Sequence, residues 1–570
     1  MFSLCLFHQS FYLRYHKSSL KMKNLLISIL LVLIGTSGMG QSAKVKNVIL
    51  FIPDGTSVDV LSLARWYNGN QPLALDEIVC GLSKTYSADS TIADSAPGGT
   101  ALATGSKSLS GYVGVSRDSL PQVSLFELAR MQGKSTGIAV TCEFPHATPA
   151  DFVCHYPARS YSSSDILIRQ FVYNSPSVVF AGGGHYLSNY LKKPYSLKDT
   201  LQNRGFRILT DRQSFDAITS ENVWALFNDW AGNSRYLSHD ADRNPAQEPS
   251  LAEMTRKAIE ILSKNPKGFF LMVEGSQVDW AAHANEPFAL ITDFLAFDQA
   301  VAEGLKFAKA DGQTLVVVCP DHGNGGISMG NLQSGYSPVT PYEKTEYDNL
   351  NIHTKIVEPL RAIQWSGRKT AQRILADSAA FFTTHTALLA DTLALRYNLT
   401  LPADSLLTIG KIVRMPGWSA DKKRDNLENW LGTRFSEQHF IGWTTTGHTG
   451  EDVVLGVYAP NGVTRLTGIV QNTDVARYIS HTAGFGDLDS DENLYVPAGA
   501  GTQYPHYKAR LTDQGLVFDH QSGKPERCIT VPGNTDYYLL GQKKISVKSL
   551  IVTIIDRYFL PPELVKILAQ

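Results

Sequence analysis

Charged residues are scarce in this chain, and neither sign of charge predominates. Asp, Glu, Lys and Arg make up 18% of the 570 residues, with 52 basic against 53 acidic side chains. A chain without an excess of positive charge lacks the electrostatic basis for binding nucleic acid or an anionic membrane surface. Because 43% of the residues are hydrophobic, disorder of the whole chain is also excluded. We therefore expect a globular protein long enough to bury a sizeable core.

The N-terminal apolar run is too short for a comfortable transmembrane helix. It covers residues 25–34, follows a basic residue and precedes small residues up to Gly40. This pattern predicts a signal peptide over residues 1–40, with Met22 as the better start and cleavage after Gly40. No Cys follows that could take a lipid, so we expect a periplasmic or secreted protein without a stable membrane anchor. An uncleaved N-terminal anchor is the alternative.

Cysteine is rare as well, and its spacing excludes a zinc ribbon. The chain has six Cys and no C-x-x-C pair, and Cys5 lies in the predicted signal peptide. Five cysteines remain, so at least one stays unpaired in an oxidising compartment. Cys319 lies in the apolar run TLVVVCPD, which is typical of a buried small hydrophobic residue. Cys142 and Cys154 could form a disulfide, although sequence alone does not establish the pairing.

Apolar runs rich in Val, Ile and Leu indicate the fold class. They do not alternate with polar residues, which is typical of strands buried on both faces of a parallel sheet. Helical patterns separate them, so the sequence predicts an α/β fold with a largely parallel central sheet sandwiched by helices. The predicted strands lie in residues 47–55, 137–142, 177–184, 269–275, 314–323 and 453–460, and the clearest helical patterns in residues 124–132, 253–264 and 288–308.

Two stretches interrupt this alternation of strands and helices. Residues 332–440 contain scattered prolines, tyrosines and charges with mixed helical pieces, and residues 487–570 contain short β-like runs with a helix-like end. We predict a core domain in two parts, residues 41–331 and 441–486. The first stretch would be an inserted lid-like or crown-like subdomain, and the second a C-terminal extension.

Several predicted strands carry an acid or a histidine directly after their apolar run. Asp54 follows NVILFIP, Glu274 follows FFLMV, and the pair Asp321 and His322 follows TLVVVCP. A single acid at such a position usually caps a helix or closes a turn. Because the carboxyl ends of parallel strands gather at one edge of the sheet, several acids in one chain indicate a metal cluster.

A helix-like segment continues the second of these sites. In VEGSQVDWAAH, Asp279 and His283 are four residues apart, so on a helix their side chains share one face and suit a single ion. A capping Asp and a core His would give the same spacing. Nitrogen and carboxylate ligands together favour zinc over magnesium.

Ser95 is the candidate nucleophile. It precedes Pro97 and a run of small helix-favouring residues, which predicts that it lies at a helix N-terminus, where exposed N–H groups favour an anion such as a phosphoryl group. An ordinary N-cap serine would have the same local pattern. A serine beside metal ions is more reactive, because a bound cation favours the alkoxide.

Further polar residues of interest lie in two other segments. TCEFPHATPADFVCHYPARS contains His146, Thr148 and Arg159, and TTTGHTGED contains His448. Either His taken alone is more often structural. The planar guanidinium of Arg159 could bind two oxygens of a tetrahedral anion.

These segments together make the sequence similar to the alkaline phosphatases. The similarity runs in order from Asn47 to about Phe485, through PDG, DSAPGGTALATG, HATPA, VEGSQVDWAAH, PDHG and TTGHTGED. It implies that Ser95 is the phosphorylated serine and that Arg159 binds substrate. It also implies two Zn²⁺ ions and one Mg²⁺ ion. The implied ligands are Asp279, His283 and His448 for the first zinc, Asp54, Asp321 and His322 for the second, and Asp54, Thr148 and Glu274 for magnesium.

Two positions depart from the pattern of some family members. His146 stands where some members have Asp, which leaves the identity of the third metal ion open. Trp280 occupies a substrate-side position where some members have Lys or His.

The resemblance implies hydrolysis of small phosphate monoesters through a phosphoserine, by two in-line displacements with net retention at phosphorus. No nucleic acid is required, and a homodimer is an open alternative for the assembly. A sulfatase is disfavoured because Gly99 stands where its motif requires Arg. The remaining alternatives are a phosphodiesterase of the same superfamily and a non-catalytic phosphate- or metal-binding protein.

Overall fold

The computed structural model describes residues 45–160, 164–189, 196–227, 236–330, 353–376, 386–488 and 494–570. The predicted signal peptide, with Met22, lies outside the described residues, as do parts of the predicted insert. None of the helices in the described ranges has the length and apolar character needed to cross a membrane.

The described strands form two large sheets and two short antiparallel pairs. In chain order they are β1 Asn47–Ile52, β2 Val79–Lys84, β3 Ser135–Glu143, β4 Val178–Gly182, β5 Arg207–Leu209, β6 Val223–Leu226, β7 Phe269–Glu274, β8 Thr314–Val318, β9 Gly323–Asn324, β10 Ser328–Met329, β11 Ile441–Gly442, β12 His448–Thr449, β13 Val453–Tyr458, β14 Gly468–Gln471, β15 Val496–Ala498, β16 Gln503–Tyr504, β17 Tyr507–Thr512, β18 Gly515–His520, β19 Ile529–Val531, β20 Thr535–Leu540, β21 Lys543–Ile554 and β22 Arg557–Leu560.

The α-helices connect and cover these strands. They span Val58–Tyr67, Ser95–Thr104, Leu125–Met131, Ala147–Asp151, Ser164–Tyr173, His185–Asn189, Leu197–Asn203, Arg212–Asp216, Leu251–Leu262, Ser276–His283, Pro287–Asp311, Glu358–Ala362, Gly367–Ala376, Thr386–Tyr397, Ala403–Val413, Ala420–Gln438, Asn472–Ala483 and Pro562–Ala569.

The central sheet confirms the predicted fold class. Its order is β14-β2-β13-β8-β1-β7-β3-β4-β6-β5, and among its described strands β13 alone runs antiparallel to its neighbours. All six predicted strands belong to this sheet. The four strands that sequence analysis missed, β2, β5, β6 and β14, lie toward its edges, where short strands carry a weaker apolar signal.

Alternate residues of β1 explain why its sequence is apolar throughout. Ile49 and Phe51 pack into a core beneath the helix Pro287–Asp311, whereas Leu50 and Ile52 pack into a second core on the opposite face. A strand covered on both faces needs an apolar side chain at every position. The central strands are therefore fixed in place by two cores at once.

The described part of the predicted insert is helical and shares a core with the main domain. Leu360, Leu393 and Phe435 belong to the same apolar cluster as Ile49. At the base of the insert, β10 pairs with β11, so the two ends of the inserted chain lie together. This arrangement agrees with an insertion between the two parts of the core domain, and its exact bounds remain a prediction.

The C-terminal extension forms a second, antiparallel sheet of order β15-β22-β21-β20-β19-β18-β17-β16. Its own small core includes Phe518, Ile551 and Leu564. A further cluster joins Leu550 of this sheet to Val115 of the main domain. The extension thus has a small core of its own and packs against the main domain.

Candidate metal and phosphate site

The predicted site residues meet at the carboxyl ends of neighbouring central strands. Strands β8, β1, β7 and β3 lie side by side. Asp54 follows β1, Glu274 ends β7, and Asp321 follows β8, so parallel pairing places three carboxylates at one edge. All three side chains are fully buried.

Asp54, Asp321 and His322 form one cluster. Their ligand atoms all lie within 4.8 Å of one another. His322 Nε2 is 3.5 Å from Asp54 Oδ1 and 3.3 Å from Asp321 Oδ2. Neither carboxylate oxygen of Asp54 accepts a hydrogen bond, nor does Asp321 Oδ2. Buried oxygens without donors are costly, so these atoms suit a bound cation.

The electrostatics of the cluster lead to the same conclusion. Burial, followed by the charges of Asp321 and Asp279, raises the pKa of Asp54 well above its usual range. Burial and the charge of Asp279 raise the pKa of Asp321 to about 7. Burial and the charge of Asp321 raise the pKa of Glu274 to about 8. Cations bound among these groups would allow all of them to ionise.

Asp279, His322 and His448 form a second cluster with ligand atoms within 4.8 Å. Asp279 and His283 lie on the helix Ser276–His283, as predicted, and His283 Nε2 is 3.4 Å from Asp279 Oδ2. His283 Nε2 is also 3.2 Å from His448 Nε2. The structure therefore brings together all three residues predicted for the first zinc, with His322 between the two clusters.

The three histidines of these clusters are oriented in the same way. In each of them, Nδ1 lies close to a backbone carbonyl oxygen. The distance is 2.7 Å from His283 to Thr446 and 3.2 Å from His322 to Gly323. It is 2.9 Å from His448 to Ala93. Donation of Nδ1–H to a backbone carbonyl leaves each Nε2 lone pair free to face the cluster. This is the outer hydrogen bond that metal-ligating histidines usually make.

Ser95 begins the helix Ser95–Thr104 and lies beside His322. Its Oγ is 3.2 Å from His322 Nε2, and the residue is 2% exposed. Asp94, not Ser95, is the N-cap, because its carboxylate accepts a hydrogen bond from the N–H of Ala96. The ordinary N-cap interpretation of Ser95 is therefore wrong, and its hydroxyl lies beside His322 of the first cluster instead.

Arg159 contacts Asp94, the residue directly before this serine. Its Nη1 donates to Asp94 Oδ1 at 3.1 Å, and its Nη2 is 3.2 Å from His146 Nε2. Burial and the nearby positive charge of Arg159 lower the pKa of His146 to about 3, which keeps the imidazole neutral. The guanidinium is thus held near the N-terminus of the Ser95 helix.

A third cluster contains a candidate ligand that sequence analysis missed. Ligand atoms of Cys142, His146 and Glu274 lie within 4.8 Å of one another. The hydroxyl of Thr148 is buried without a hydrogen-bond partner, as are Glu274 Oε1 and His146 Nδ1. The disulfide between Cys142 and Cys154 that the sequence left open does not form, since both cysteines are free and fully buried.

Trp280 lies between the third cluster and the insert. Its ring contacts His146, with centroids 5.7 Å apart, and Tyr236, with centroids 4.4 Å apart. Arg368, on an insert helix, donates a hydrogen bond to the Tyr236 hydroxyl. Sequence analysis missed both Tyr236 and Arg368, because no local pattern relates them to Trp280.

Comparison with known proteins identifies the family. The alkaline phosphatase family model matches residues 45–485. Alkaline phosphatase 3 of Bacillus subtilis (strain 168) is 31% identical over 451 residues, covering 77% of this chain and 89% of the relative.

Two solved structures have the same fold. The cold-active alkaline phosphatase of a psychrophilic Shewanella sp. is 25% identical, with a TM-score of 0.63, covering 77% of this chain and 99% of that one. The alkaline phosphatase of Thermus thermophilus is 23% identical, with a TM-score of 0.65, covering 80% and 95%, and supports the fold alone. The chain belongs to the alkaline phosphatase family and is a hydrolase, and its membership supports hydrolysis of phosphate monoesters.

Proposed function

We propose that this enzyme hydrolyses small phosphate monoesters through a phosphoserine formed on Ser95. The observation that carries the proposal is the position of Ser95 Oγ, 3.2 Å from His322 Nε2 at the edge of two clusters of buried carboxylates and histidines. A hydroxyl in that position is next to groups that suit cations. It is also at the N-terminus of a helix, where a phosphoryl group is favoured.

Two groups of the chain would hold the phosphoryl group. The N-terminal N–H groups of the Ser95 helix and the Arg159 guanidinium supply positive charge to its oxygens. Asp94 keeps Arg159 close through the 3.1 Å contact at Nη1. Because phosphoryl transfer depends mainly on positioning and charge neutralisation, these fixed donors suit the reaction.

The two clusters fit two zinc ions, and the third cluster fits a further cation. Asp279, His283 and His448 would hold the first, and Asp54, Asp321 and His322 the second. Bound divalent ions would neutralise phosphoryl oxygens, favour ionisation of the attacking hydroxyl and stabilise the leaving oxygen. Ser95 attacks phosphorus in line, the alcohol leaves, and water then displaces Ser95 from the vacated side, which predicts net retention at phosphorus.

The direct test is Ser95→Ala, measured on an aryl phosphate monoester. We expect turnover to fall by roughly 10⁴-fold or more, the scale seen when a catalytic nucleophile is removed, with unchanged zinc content by mass spectrometry. Ser106→Ala, just beyond the same helix, serves as the matched control and should retain activity. Acid quenching should trap phosphate on the Ser95 peptide of the unaltered enzyme. Full activity of Ser95→Ala would exclude the phosphoserine route.

Comparing an aryl phosphate monoester with the matching diester and sulfate separates a monoesterase from a diesterase. Arg159 and the buried Thr148 suit a dianionic monoester, so hydrolysis of an aryl phosphate monoester should greatly exceed that of the matching diester and sulfate. The reverse order would contradict the assignment. A non-catalytic phosphate- or metal-binding protein would show turnover with none of the three.

We also propose that the enzyme is exported, which rests on the N-terminal sequence pattern. N-terminal sequencing of the protein from its native source should begin at or close to Gln41. A start at or before Met22 would instead support the uncleaved anchor.

A further inference from the structure

Cys142 lies inside the third cluster rather than at its margin. It belongs to β3, directly beside β7, and its Sγ donates to Glu274 Oε2 at 3.7 Å. Its ligand atom lies within 4.8 Å of those of His146 and Glu274. Three chemically different donors, a thiol, an imidazole and a carboxylate, thus meet at one point.

Two further polar atoms predicted for this site are buried without hydrogen-bond partners, as expected of a metal-binding site. Glu274 and Thr148 are fully buried, yet Glu274 Oε1 and Thr148 Oγ1 have no hydrogen-bond partner. Neutral packing does not explain these two atoms, because each unpaired buried polar atom costs about 1–3 kcal/mol. A cation bound by these atoms would remove that cost.

The donor set does not match the magnesium that the family resemblance implies. Mg²⁺ prefers six oxygen ligands in nearly ideal octahedral geometry. Thiolate and imidazole are softer ligands that favour Zn²⁺ or Co²⁺. A site with Cys142 and His146 next to Glu274 therefore suits a zinc-type ion better than magnesium.

We propose that Cys142 Sγ is a ligand of the third metal ion and that this site selects zinc over magnesium. This inference rests on the proposed function only in taking the third cluster as a metal site. Binding displaces the thiol proton to solvent, and the thiolate then bonds to the ion.

Cobalt substitution tests the ligand directly. The enzyme, stripped of metal and reloaded with Co²⁺, should show a near-ultraviolet sulfur-to-cobalt charge-transfer band. Within the described residues, the other two clusters contain no cysteine, so such a band would report Cys142. Cys142→Ser and Cys142→Ala should both lose the band. Cys154→Ser is the matched control, since Cys154 is equally buried but its Sγ donates to the carbonyl of Leu167, and it should keep the band.

Metal competition tests the selectivity. In equilibrium dialysis with excess Mg²⁺, the unaltered enzyme should retain three zinc equivalents, and Cys142→Ser should bind the third at least roughly 10-fold more weakly. A band that survives in both Cys142 variants, or magnesium displacing the third zinc equally in all proteins, would overturn the proposal. The band reports ligation and not turnover, so a failure here is distinguishable from a failure of the Ser95 phosphoserine test.

Discussion

Single residues set the spacing between the acids of the candidate metal site, and Gly55 is an example. It follows Asp54 with a positive φ of 60°, and a Cβ on it would lie 2.3 Å from Asp279 Oδ1. Its N–H donates to Asp321 Oδ1 at 3.2 Å. One residue without a side chain thus lets acids from three different segments approach one another.

Replacing Gly55 with Ala should therefore weaken zinc binding. The added methyl group must push Asp279 out of the cluster, and we expect metal affinity to fall roughly 10- to 100-fold, the range typical of disturbed ligand positioning. Gly312→Ala is the matched control, because Gly312 has a similar φ of 68° with nothing within 4 Å of the added Cβ. Equal zinc affinity of the two variants by competitive titration would show that the added methyl group at Gly55 does not displace Asp279.

At the scale of elements, short pairings bring distant parts of the chain into the site. The pair β9 and β12 places His448 opposite Asn324, so that the rings of His322 and His448 stack with centroids 3.8 Å apart. The pair β10 and β11 holds the base of the insert. His322 and His448 therefore stay together even though a long insert separates them in the chain.

The Tyr236 ring, which packs on Trp280, should influence substrate binding. Tyr236→Leu removes the ring that packs on Trp280, and an aromatic pair contributes about 0.5–1.5 kcal/mol, so KM for an aryl phosphate should rise roughly two- to tenfold. Tyr236→Phe keeps the ring but loses the hydrogen bond from Arg368, and its KM should stay close to that of the unaltered enzyme. If the two variants behave alike in steady-state kinetics, the insert contact rather than the ring controls Trp280.

The C-terminal extension should stabilise the main domain through Tyr495. Its hydroxyl donates to Glu127 Oε1 at 2.5 Å and lies 2.9 Å from His155 Nε2. Although burial opposes ionisation of Glu127, the charge of His155 helps to lower its pKa to about 2.

Tyr495→Phe should lower the free energy of unfolding by about 1–3 kcal/mol, the cost of leaving buried polar groups without a partner. The kcat should not change, because none of these groups belongs to a metal cluster. Tyr504→Phe is the comparison variant in denaturant unfolding, because Tyr504 is partly buried against the core of the extension itself. A loss of kcat in Tyr495→Phe would contradict a purely structural role.

At the scale of the whole molecule, bound metal should govern how stability depends on pH. In the metal-free protein, burial and the charge of Asp321 raise the pKa of Glu274 to about 8. Burial and the charge of Asp279 raise the pKa of Asp321 to about 7. Burial lowers the pKa of His283, but the charge of Asp279 outweighs it and raises the pKa to about 9. In the unfolded chain these groups have already lost their protons by pH 7. The folded chain therefore holds more protons, and its stability falls as pH rises.

We expect the unfolding free energy of chelator-treated enzyme to fall by on the order of 5 kcal/mol between pH 6.5 and pH 8.5, at about 1.4 kcal/mol per proton and pH unit. Other buried groups, such as His239, titrate in both forms, so the relevant quantity is the difference between metal-free and zinc-loaded protein. Denaturant unfolding at several pH values measures it. Parallel pH profiles of the two forms would show that Glu274, Asp321 and His283 do not cause the pH dependence of stability.

Much of this protein follows from local sequence. The runs that became β1, β7 and β8 are apolar at every position because both faces are buried, and that signal needs no knowledge of the neighbours. The acids after these strands, the four-residue spacing of Asp279 and His283, and the place of Ser95 at a helix start are local in the same sense.

Contacts between distant residues were decided by the tertiary structure alone. From the sequence, Cys142 was only a candidate disulfide partner of Cys154, and the pairing of β3 with β7 placed its sulfur beside Glu274 instead. Tyr236 gained its place through Trp280 and Arg368, and Asp94 replaced Ser95 as the helix cap. The physical reason is that a local pattern determines which residues are buried and in which element, whereas the order of strands and the packing of helices determine which of those residues meet.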